Sequence, residues 1–302
     1  MKISVIGSIN RDQNIYIEKI PRRGETVVGK SVAYFPGGKG ANQAAGMAKL
    51  GADVRMFGAV GRDAAGEEML KSMREDGLNT EYIRIVDDVP TGQAIITVDA
   101  SDNSIIIISG ANEKVDLVYV KSVEENIMEA DLIVLQNEIP IPTIHYLIRA
   151  AYARGKKILL NPAPALTLSE DLLNMLTYVT PNEHEVNCLL ENFHGKPQDL
   201  LKKYKGKLIV TQGKIGCSVC IDGKRPEIIP GIRANVVDTS GAGDSFNAAF
   251  CVAVLKGMPL KDALRFGNTA AGLSTEKKGA RGGMPSMEDI CARDSHFRKY
   301  LQ

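Results

Sequence analysis

The sequence predicts an α/β protein with a central, mostly parallel sheet flanked by helices, and a small β-sheet lid beside it. From about residue 130 onward, short apolar runs alternate with amphipathic stretches, which is typical of strand–helix–strand units with right-handed crossovers. Polar residues recur where these runs end, at the edge where open α/β sheets bind ligands. Two segments, residues 12–35 and 91–109, interrupt this alternation and predict the lid. The main body would comprise residues 1–11, 36–90 and 110–302.

Length and composition exclude several classes of protein. The chain of 302 residues is long enough to bury a core without disulfides. Its formal net charge is +1 with both signs mixed, so it offers no basic surface for nucleic acid. No apolar run approaches the roughly 18 residues that cross a membrane, and the N-terminus lacks the apolar core and cleavage site of a secretory signal. We therefore expect a cytoplasmic protein with no nucleic-acid or membrane partner.

The cysteines are predicted to be structural residues without a metal-binding or redox role. Cys217 and Cys220 form a CxxC pair within GCSVCIDG, which is typical of a short strand. No second pair of Cys or His residues accompanies them at a zinc-ligand spacing. We interpret both as small strand residues.

The chain begins with a predicted buried strand at residues 2–6, followed by Gly-Ser and then by Asn10 and Asp12. Asn and Asp are common turn residues, and a solvated turn is the favoured interpretation of these two taken alone. Their other interpretation is functional, because one amide and one carboxylate can hold adjacent hydroxyls of a polyol.

The lid is predicted from four short strands. Residues 13–20 alternate in polarity, and residues 26–35 carry spaced valines, so they predict two strands joined by a turn. Residues 91–98 and 104–109 predict a hairpin whose turn covers residues 100–103.

A glycine-rich segment, PGGKGAN at residues 36–42, precedes a predicted helix at residues 43–50. Its glycines lack the spacing of a dinucleotide fingerprint, and no Ser or Thr follows Lys39 as a Walker A motif requires. Lys39 and Asn42 at a helix start can still bind a polar ligand. The alternative is a loop that packs tightly against the sheet.

The main body continues with a predicted strand at residues 54–60 and a helix at residues 63–75. Further strands are predicted at residues 132–135, 157–160, 178–180 and 208–211, with helices at residues 142–154 and from residue 181 onward. The polar residues expected along one edge of the sheet are Glu138, Asn182, Glu185, Thr211 and Asp244.

The segment DTSGAGDSF, Asp238 to Phe246, lies between a strand-like run at residues 234–237 and an apolar helix at residues 247–255. A glycine-rich turn at a helix N-terminus presents unpaired N–H groups and suits an anion such as phosphate. Gly241 and Gly243 allow a ligand to approach the backbone. Asp244 in the first helical turn either caps the helix or accepts a proton from an attacking hydroxyl. The spacing alone leaves both roles open.

Four motifs occur together along the whole chain: GGKGANQA at residues 37–44, TPNEHE at 180–185, TQGKIG at 211–216 and DTSGAGDSF at 238–246. In order and spacing, the chain resembles the ribokinase-like (phosphofructokinase-B) family of sugar kinases. Asn10 and Asp12 in GSINRD are similar to its ribose-specific branch. The resemblance implies a Rossmann-like fold and ATP-dependent phosphorylation of D-ribose at O5.

The resemblance also implies a role for individual residues. Asp244 would be the general base, beside an anion hole formed by the backbone N–H groups of Gly241, Ala242 and Gly243. The sugar would be bound by Asn10, Asp12, Gly38, Lys39, Asn42, Glu138 and Asp244. The nucleotide would be bound by Asn182, Thr211, Gly213, Gly216, Gly243 and Asn268. Glu185 would hold Mg²⁺ through water, and a K⁺ ion would be held by Asp238, Ser240, Ser274, Lys277, Gly279 and Gly283.

The expected co-substrate is ATP, the expected ions are Mg²⁺ and K⁺, and a homodimer through the lid would cover its sheet edges. Alternative acceptors are another sugar or a nucleoside, such as deoxyribose or adenosine, although an aromatic content of 5% disfavours a base-binding wall. A non-catalytic ATP-binding regulator is less favoured, because Asp244 and the glycine turn are both present. A nicotinamide oxidoreductase lacks its glycine fingerprint.

Overall fold

A computed structural model describes residues 1–99, 103–191, 193 and 195–300. The strands in these ranges are β1 (Lys2–Ile6), β2 (Asn10–Tyr16), β3 (Ser31–Gly37), β4 (Asp53–Gly61), β5 (Ile83–Val86), β6 (Gly92–Val98), β7 (Asn103–Ile108), β8 (Leu132–Gln136), β9 (Lys157–Asn161), β10 (Tyr178–Val179), β11 (Ile209–Thr211), β12 (Gly216–Val219) and β13 (Glu227–Pro230). The α-helices are α1 (Lys39–Lys49), α2 (Ala64–Glu75), α3 (Leu117–Ser122), α4 (Glu124–Met128), α5 (Ile141–Ala153), α6 (Glu170–Met175), α7 (Pro197–Lys203), α8 (Ala242–Leu255), α9 (Leu260–Ser274) and α10 (Met287–Arg293).

The central sheet has six parallel strands in the order β10-β9-β8-β1-β4-β5. Its strands separate two apolar cores: on β8, Leu132 and Val134 face one core, whereas Ile133 and Leu135 face the other. Because both faces are covered, every residue of β8 is buried, and residues 132–135 form a continuous apolar run. The predicted α/β fold is confirmed. An antiparallel sheet, β11-β12-β13, lies beyond the β10 edge.

The lid sheet, β3-β2-β6-β7, is formed by the two predicted segments, although β2 begins at Asn10 instead of residue 12 and β3 ends at Gly37 instead of residue 35. β2 and β6 are parallel at its centre, and both outer pairs are antiparallel. Its register places Phe35, Asp12, Ala94 and Ile107 in one row across the four strands. Part of the predicted hairpin turn, residues 100–102, lies outside the described residues, and the division of the chain into a main body and a lid domain stays a prediction.

Two predictions of local structure are wrong. Residues 234–237 form no strand: Val236 and Val237 are exposed, and the N–H groups of Val237 and Asp238 donate to the carbonyl of Thr275. An apolar run without a neighbouring strand cannot pair. The predicted helix after residue 181 is a short 3₁₀ turn at Glu185–Cys188, and the edge strand β5 was not predicted at all.

Two further boundaries differ from the prediction because of turn residues. Strand β3 begins only at Ser31, after a turn-rich stretch from Pro21. Helix α1 begins at Lys39, since Gly38 precedes it with a φ of 85° that only glycine adopts easily. Among the described residues, no helix is both long enough and apolar enough to cross a membrane.

Candidate active site

The turn before α8 depends on a glycine. Gly241 has a φ of 72°, and a Cβ there would lie 2.6 Å from the Cβ of Ala280. The chain can therefore turn tightly into α8, whose first N–H groups have no partner within the helix. A Cβ on Gly243 would meet nothing within 4 Å, so this part of the turn borders open space.

Two clefts meet at this turn. The larger, of about 320 Å³, extends under the lid sheet and reaches Asn10, Asp12 and Glu138. The smaller, of about 140 Å³, lies along the carboxyl ends of the main sheet and includes Asn182 and Glu185. The residues that border both clefts are Lys39, Thr239, Gly241 and Asp244.

The Asp244 carboxylate is held by side chains of α1. The amide Nδ2 of Asn42 donates to Asp244 Oδ2 over 3.1 Å, and the amide Nε2 of Gln43 donates to Oδ1 over 2.9 Å. Only 6% of Asp244 is exposed. No backbone N–H of α8 is among its described partners, so the capping role that the sequence left open is not the one the geometry supports.

A second layer of polar side chains holds these two amides. The Oε1 atom of Gln43 accepts from Gln136 Nε2, while its Nε2 also donates to Asn161. The Oδ1 atom of Asn42 accepts from Arg281 Nε over 3.1 Å. Each amide therefore has its oxygen bound to a donor, which turns its NH₂ group toward Asp244.

Arg281 is a buried cation that the sequence analysis missed. It is 4% exposed, its Nη2 donates to the carbonyl of Gly37, and its Nη1 lies 3.5 Å from Asp76. Burial lowers the pKa of its guanidinium, although Asp76 opposes this shift. It lies 239 residues from Asn42 in the chain and belongs to no motif, so only the tertiary structure reveals the contact. Gln43, by contrast, lies within GGKGANQA and could have been predicted from its place beside Asn42.

The larger cleft contains the predicted sugar-binding residues. Asn10 Oδ1 accepts from Asn112 Nδ2 over 2.7 Å, and Glu138 accepts from the backbone N–H of Lys39. Burial, followed by the charge of Glu138, raises the pKa of Asp12 to about 7. The Oδ1 atom of Asp12 is buried without a hydrogen-bond partner. Burial tends to lower the pKa of Lys39, but the carboxylates of Asp244 and Glu138 raise it overall.

The smaller cleft contains the Glu185 carboxylate together with asparagine and threonine side chains. Glu185 accepts from the N–H of Asn182 over 2.8 Å, and burial raises the pKa of Glu185 despite this bond. The hydroxyl of Thr180 and the amide oxygen of Asn247 are buried there without a partner. Among the described residues, no three His, Cys, Asp or Glu side chains cluster as metal ligands. One carboxylate with free oxygens suits Mg²⁺, which keeps several waters and binds through phosphates.

The residues predicted to hold a monovalent cation are mostly adjacent. Asp238 accepts from the N–H groups of Ser240 over 2.9 Å and Gly279 over 2.8 Å. Burial raises the pKa of Asp238, but these bonds outweigh it and lower the pKa overall. A Cβ on Gly283 would lie 2.0 Å from the carbonyl oxygen of Ser274, so these backbones are in close contact. The Lys277 side chain is exposed, which leaves its backbone carbonyl as the candidate ligand.

The residues predicted to bind the nucleotide are more dispersed than those predicted to hold the monovalent cation. Thr211 borders the smaller cleft, and Gly213 and Gly216 flank the 3₁₀ turn between β11 and β12. Asn268 lies outside both clefts, where its amide donates to the carbonyls of Ile229 and Pro230 on β13. Its predicted place beside the adenine stays a prediction. Cys217, in β12, is fully buried, as expected for a structural residue.

Comparisons with known proteins identify the family of the chain. The pfkB family carbohydrate kinase profile matches residues 1–287. The chain is similar to the ribokinase of Lactococcus lactis, with 42% identity covering 97% of this chain and 96% of that one. It is 33% identical to the deoxyribokinase of Salmonella typhi, covering 100% and 99%. Among solved structures, the ribokinase of Arabidopsis thaliana complexed with ribose and ATP matches with a TM-score of 0.83 and 32% identity, covering 96% and 97%.

Proposed function

Because the chain belongs to the pfkB family of carbohydrate kinases, we propose that it transfers the γ-phosphoryl group of ATP to O5 of D-ribose. The observation that carries this proposal is the position of Asp244 where the two clefts meet. A carboxylate there reaches a hydroxyl in the larger cleft and a phosphate in the smaller one. The similarity to ribokinases over nearly the whole chain supports ribose as the acceptor.

Asp244 acts as the general base. As O5 attacks the γ-phosphorus, the O5–P bond forms, the bond from the γ-phosphorus to the β,γ-bridging oxygen breaks, and the O5 proton passes to the carboxylate. Asn42 and Gln43 hold this carboxylate from the side of α1. A positioned base of this kind contributes roughly 10²–10⁴ in rate.

The turn at Gly241, Ala242 and Gly243 stabilises the charge on the phosphoryl group. Its N–H groups precede and begin α8, where the helix dipole also favours an anion. Donors placed before the reaction contribute roughly 10²–10³ each in such sites. The Lys39 ammonium borders both clefts and adds a positive charge beside the same group.

Glu185 would hold Mg²⁺ through water, with the free oxygens of Thr180 and Asn247 nearby. When bound, the ion neutralises charge on the ATP phosphates. A K⁺ ion would be held beside the turn that carries Gly241. Its ligands would be Asp238, Ser240 and the backbone of Ser274, Lys277, Gly279 and Gly283.

The outer face of the lid sheet supports a homodimer. Val32, Tyr34, Ile106 and Ile108 point away from the larger cleft and are 43–62% exposed. Such an apolar sheet face on the surface indicates an interface. A second copy packed through the lid would cover it. The five cysteines are all free, which suits the reducing cytoplasm.

The test of the proposal is ADP release measured with D-ribose, 2-deoxy-D-ribose, D-fructose and adenosine, each in K⁺ and in Na⁺. We expect D-ribose to have the highest kcat/KM, K⁺ to raise its turnover, and NMR of the product to show a phosphate on O5. A preference for another acceptor would reassign the substrate, and 2-deoxy-D-ribose is the main alternative because of the deoxyribokinase relative. ATP binding without turnover of any acceptor would favour a regulator.

A further inference from the structure

Asn14 is a polar residue on the inner face of the lid that no motif includes. It borders the larger cleft, and its neighbours in the same row of the sheet are Ala33, Ile96 and Ile105. Asn14 is 9% exposed, and its Oδ1 atom is buried with no hydrogen-bond partner among the described residues. An apolar side chain would fit this row without leaving an atom unpaired.

An unpaired buried amide is unfavourable, because it loses its bonds to water and gains none in exchange. Turning the amide over does not remove the problem, since an NH₂ group would then occupy the same unpaired position. Asn14 borders the cleft in which the acceptor binds. A ligand hydroxyl in the cleft can complete the missing bond, as either a donor or an acceptor.

The position of Asn14 indicates which hydroxyl this is. Asn14 is two residues beyond Asp12 on the same face of β2, or about 7 Å along the strand. Asp12 lies against Gly37 and is electrostatically coupled to Asp244. Asn14 is therefore one row further toward the outer end of the lid, away from the site of phosphoryl transfer.

Resting on the proposed function, we propose that Asn14 hydrogen-bonds the anomeric hydroxyl, O1, of the pentose and selects for it. With O5 beside Asp244 and the middle hydroxyls beside Asp12, O1 is at the end of the furanose that faces the outer row. Asn14 is then a specificity residue, and the hydroxyl at C1 is part of what the enzyme recognises.

The test compares D-ribose with 1,4-anhydro-D-ribitol, which carries hydrogen in place of the hydroxyl at C1. We expect wild-type enzyme to prefer D-ribose by roughly tenfold in kcat/KM, mostly through KM, because a site built to bond a hydroxyl rejects the analogue that lacks it. In Asn14→Leu, which keeps the branching and the number of side-chain heavy atoms but has no polar atom, the ratio should fall to about one.

Ile96→Val is the matched control, because it alters packing in the same row without changing a hydrogen bond. It should keep the wild-type ratio. An unchanged ratio in folded Asn14→Leu would overturn the proposal. Calorimetric titration of the wild-type enzyme needs no variant, and equal affinities for the two sugars would also overturn it. Failure of the wild-type enzyme to phosphorylate D-ribose would instead refute the proposed function.

Discussion

The Asp244 carboxylate and two polar side chains of the lid differ in how completely their oxygens are bonded. On the phosphoryl-transfer side, both oxygens of Asp244 accept from amides whose own oxygens are bound by Arg281 and Gln136. On the lid side, Asp12 and Asn14 each have a buried oxygen without a partner. The Asp244 carboxylate is therefore fully bonded without substrate, and these two lid side chains are not.

This difference corresponds to two tasks in the proposed reaction, which are orienting the general base and recognising the sugar. A general base must be oriented before the reaction, since reorganising it during transfer would add to the barrier. Its partners therefore come from α1, and Gln43 of α1 is bound in turn at the carboxyl ends of β8 and β9, which are fixed by the two cores. Groups that recognise a sugar need bonds left free for its hydroxyls. A fully bonded Asp244 and incompletely bonded lid side chains are the expected result.

Removing the base is the sharpest test of the transfer side. We expect Asp244→Asn to lower kcat by roughly 10³, because the amide cannot accept the proton of O5. Since the glycine turn at residues 241–243 is untouched, the affinity for ATP should stay within about twofold, as measured by nucleotide titration beside single-turnover kinetics. The control is Asp171→Asn, which makes the same chemical change at an exposed position on α6. A fall of less than tenfold would mean that Asp244 is not the base.

The pH dependence of sugar binding tests the lid side. Asp12 has a pKa of about 7, so it is ionised above pH 7 and protonated below it. The ionised form accepts hydrogen bonds from hydroxyls, so we expect kcat/KM for D-ribose to fall about tenfold per pH unit below 7, or about 100-fold by pH 5. The KM for ATP, measured on the same samples, should not follow this curve.

The same pKa has a consequence for stability that Asp12→Asn can separate from binding. Because the folded pKa is above the ordinary value of 3.8, the folded protein binds more protons between about pH 4 and pH 7. The stability that depends on protonated Asp12 is present below about pH 4 and is lost as pH rises to 7. Melting curves should therefore show Asp12→Asn stabilised over wild type at pH 8 and much less so at pH 5. Parallel pH profiles for the two proteins would contradict this assignment.

Arg281 tests whether the second layer of the transfer side positions the base. We expect Arg281→Leu to lower kcat about tenfold with little change in either KM, because Asn42 loses the donor that orients its amide. Lys49→Met is the control, since Lys49 contacts Asp76 and the carbonyl of Arg281 but does not contact Asn42. A purely structural role would lower the melting temperature of both variants and leave kcat unchanged in each.

Local sequence patterns were sufficient to predict the framework of the fold. The strand at Lys2–Ile6, the helix that follows the glycine turn, and the position of Asp244 in its first turn are confirmed as predicted. Each depends on residues within a few positions of one another, such as an apolar run or a glycine at a left-handed turn. Where local pattern and environment disagree, as at residues 234–237, the prediction is wrong because pairing needs a neighbouring strand.

The sequence by itself determined the α/β fold, the glycine turn before α8 and the charged side chains that border the two clefts. Only the tertiary structure decided how those side chains are held. The bond from Arg281 to Asn42 spans 239 residues, and the row that isolates Asn14 among apolar residues exists only through the register of four strands. Contacts of this kind arise when distant segments pack together, so the pattern of apolar and polar residues within either segment does not predict them.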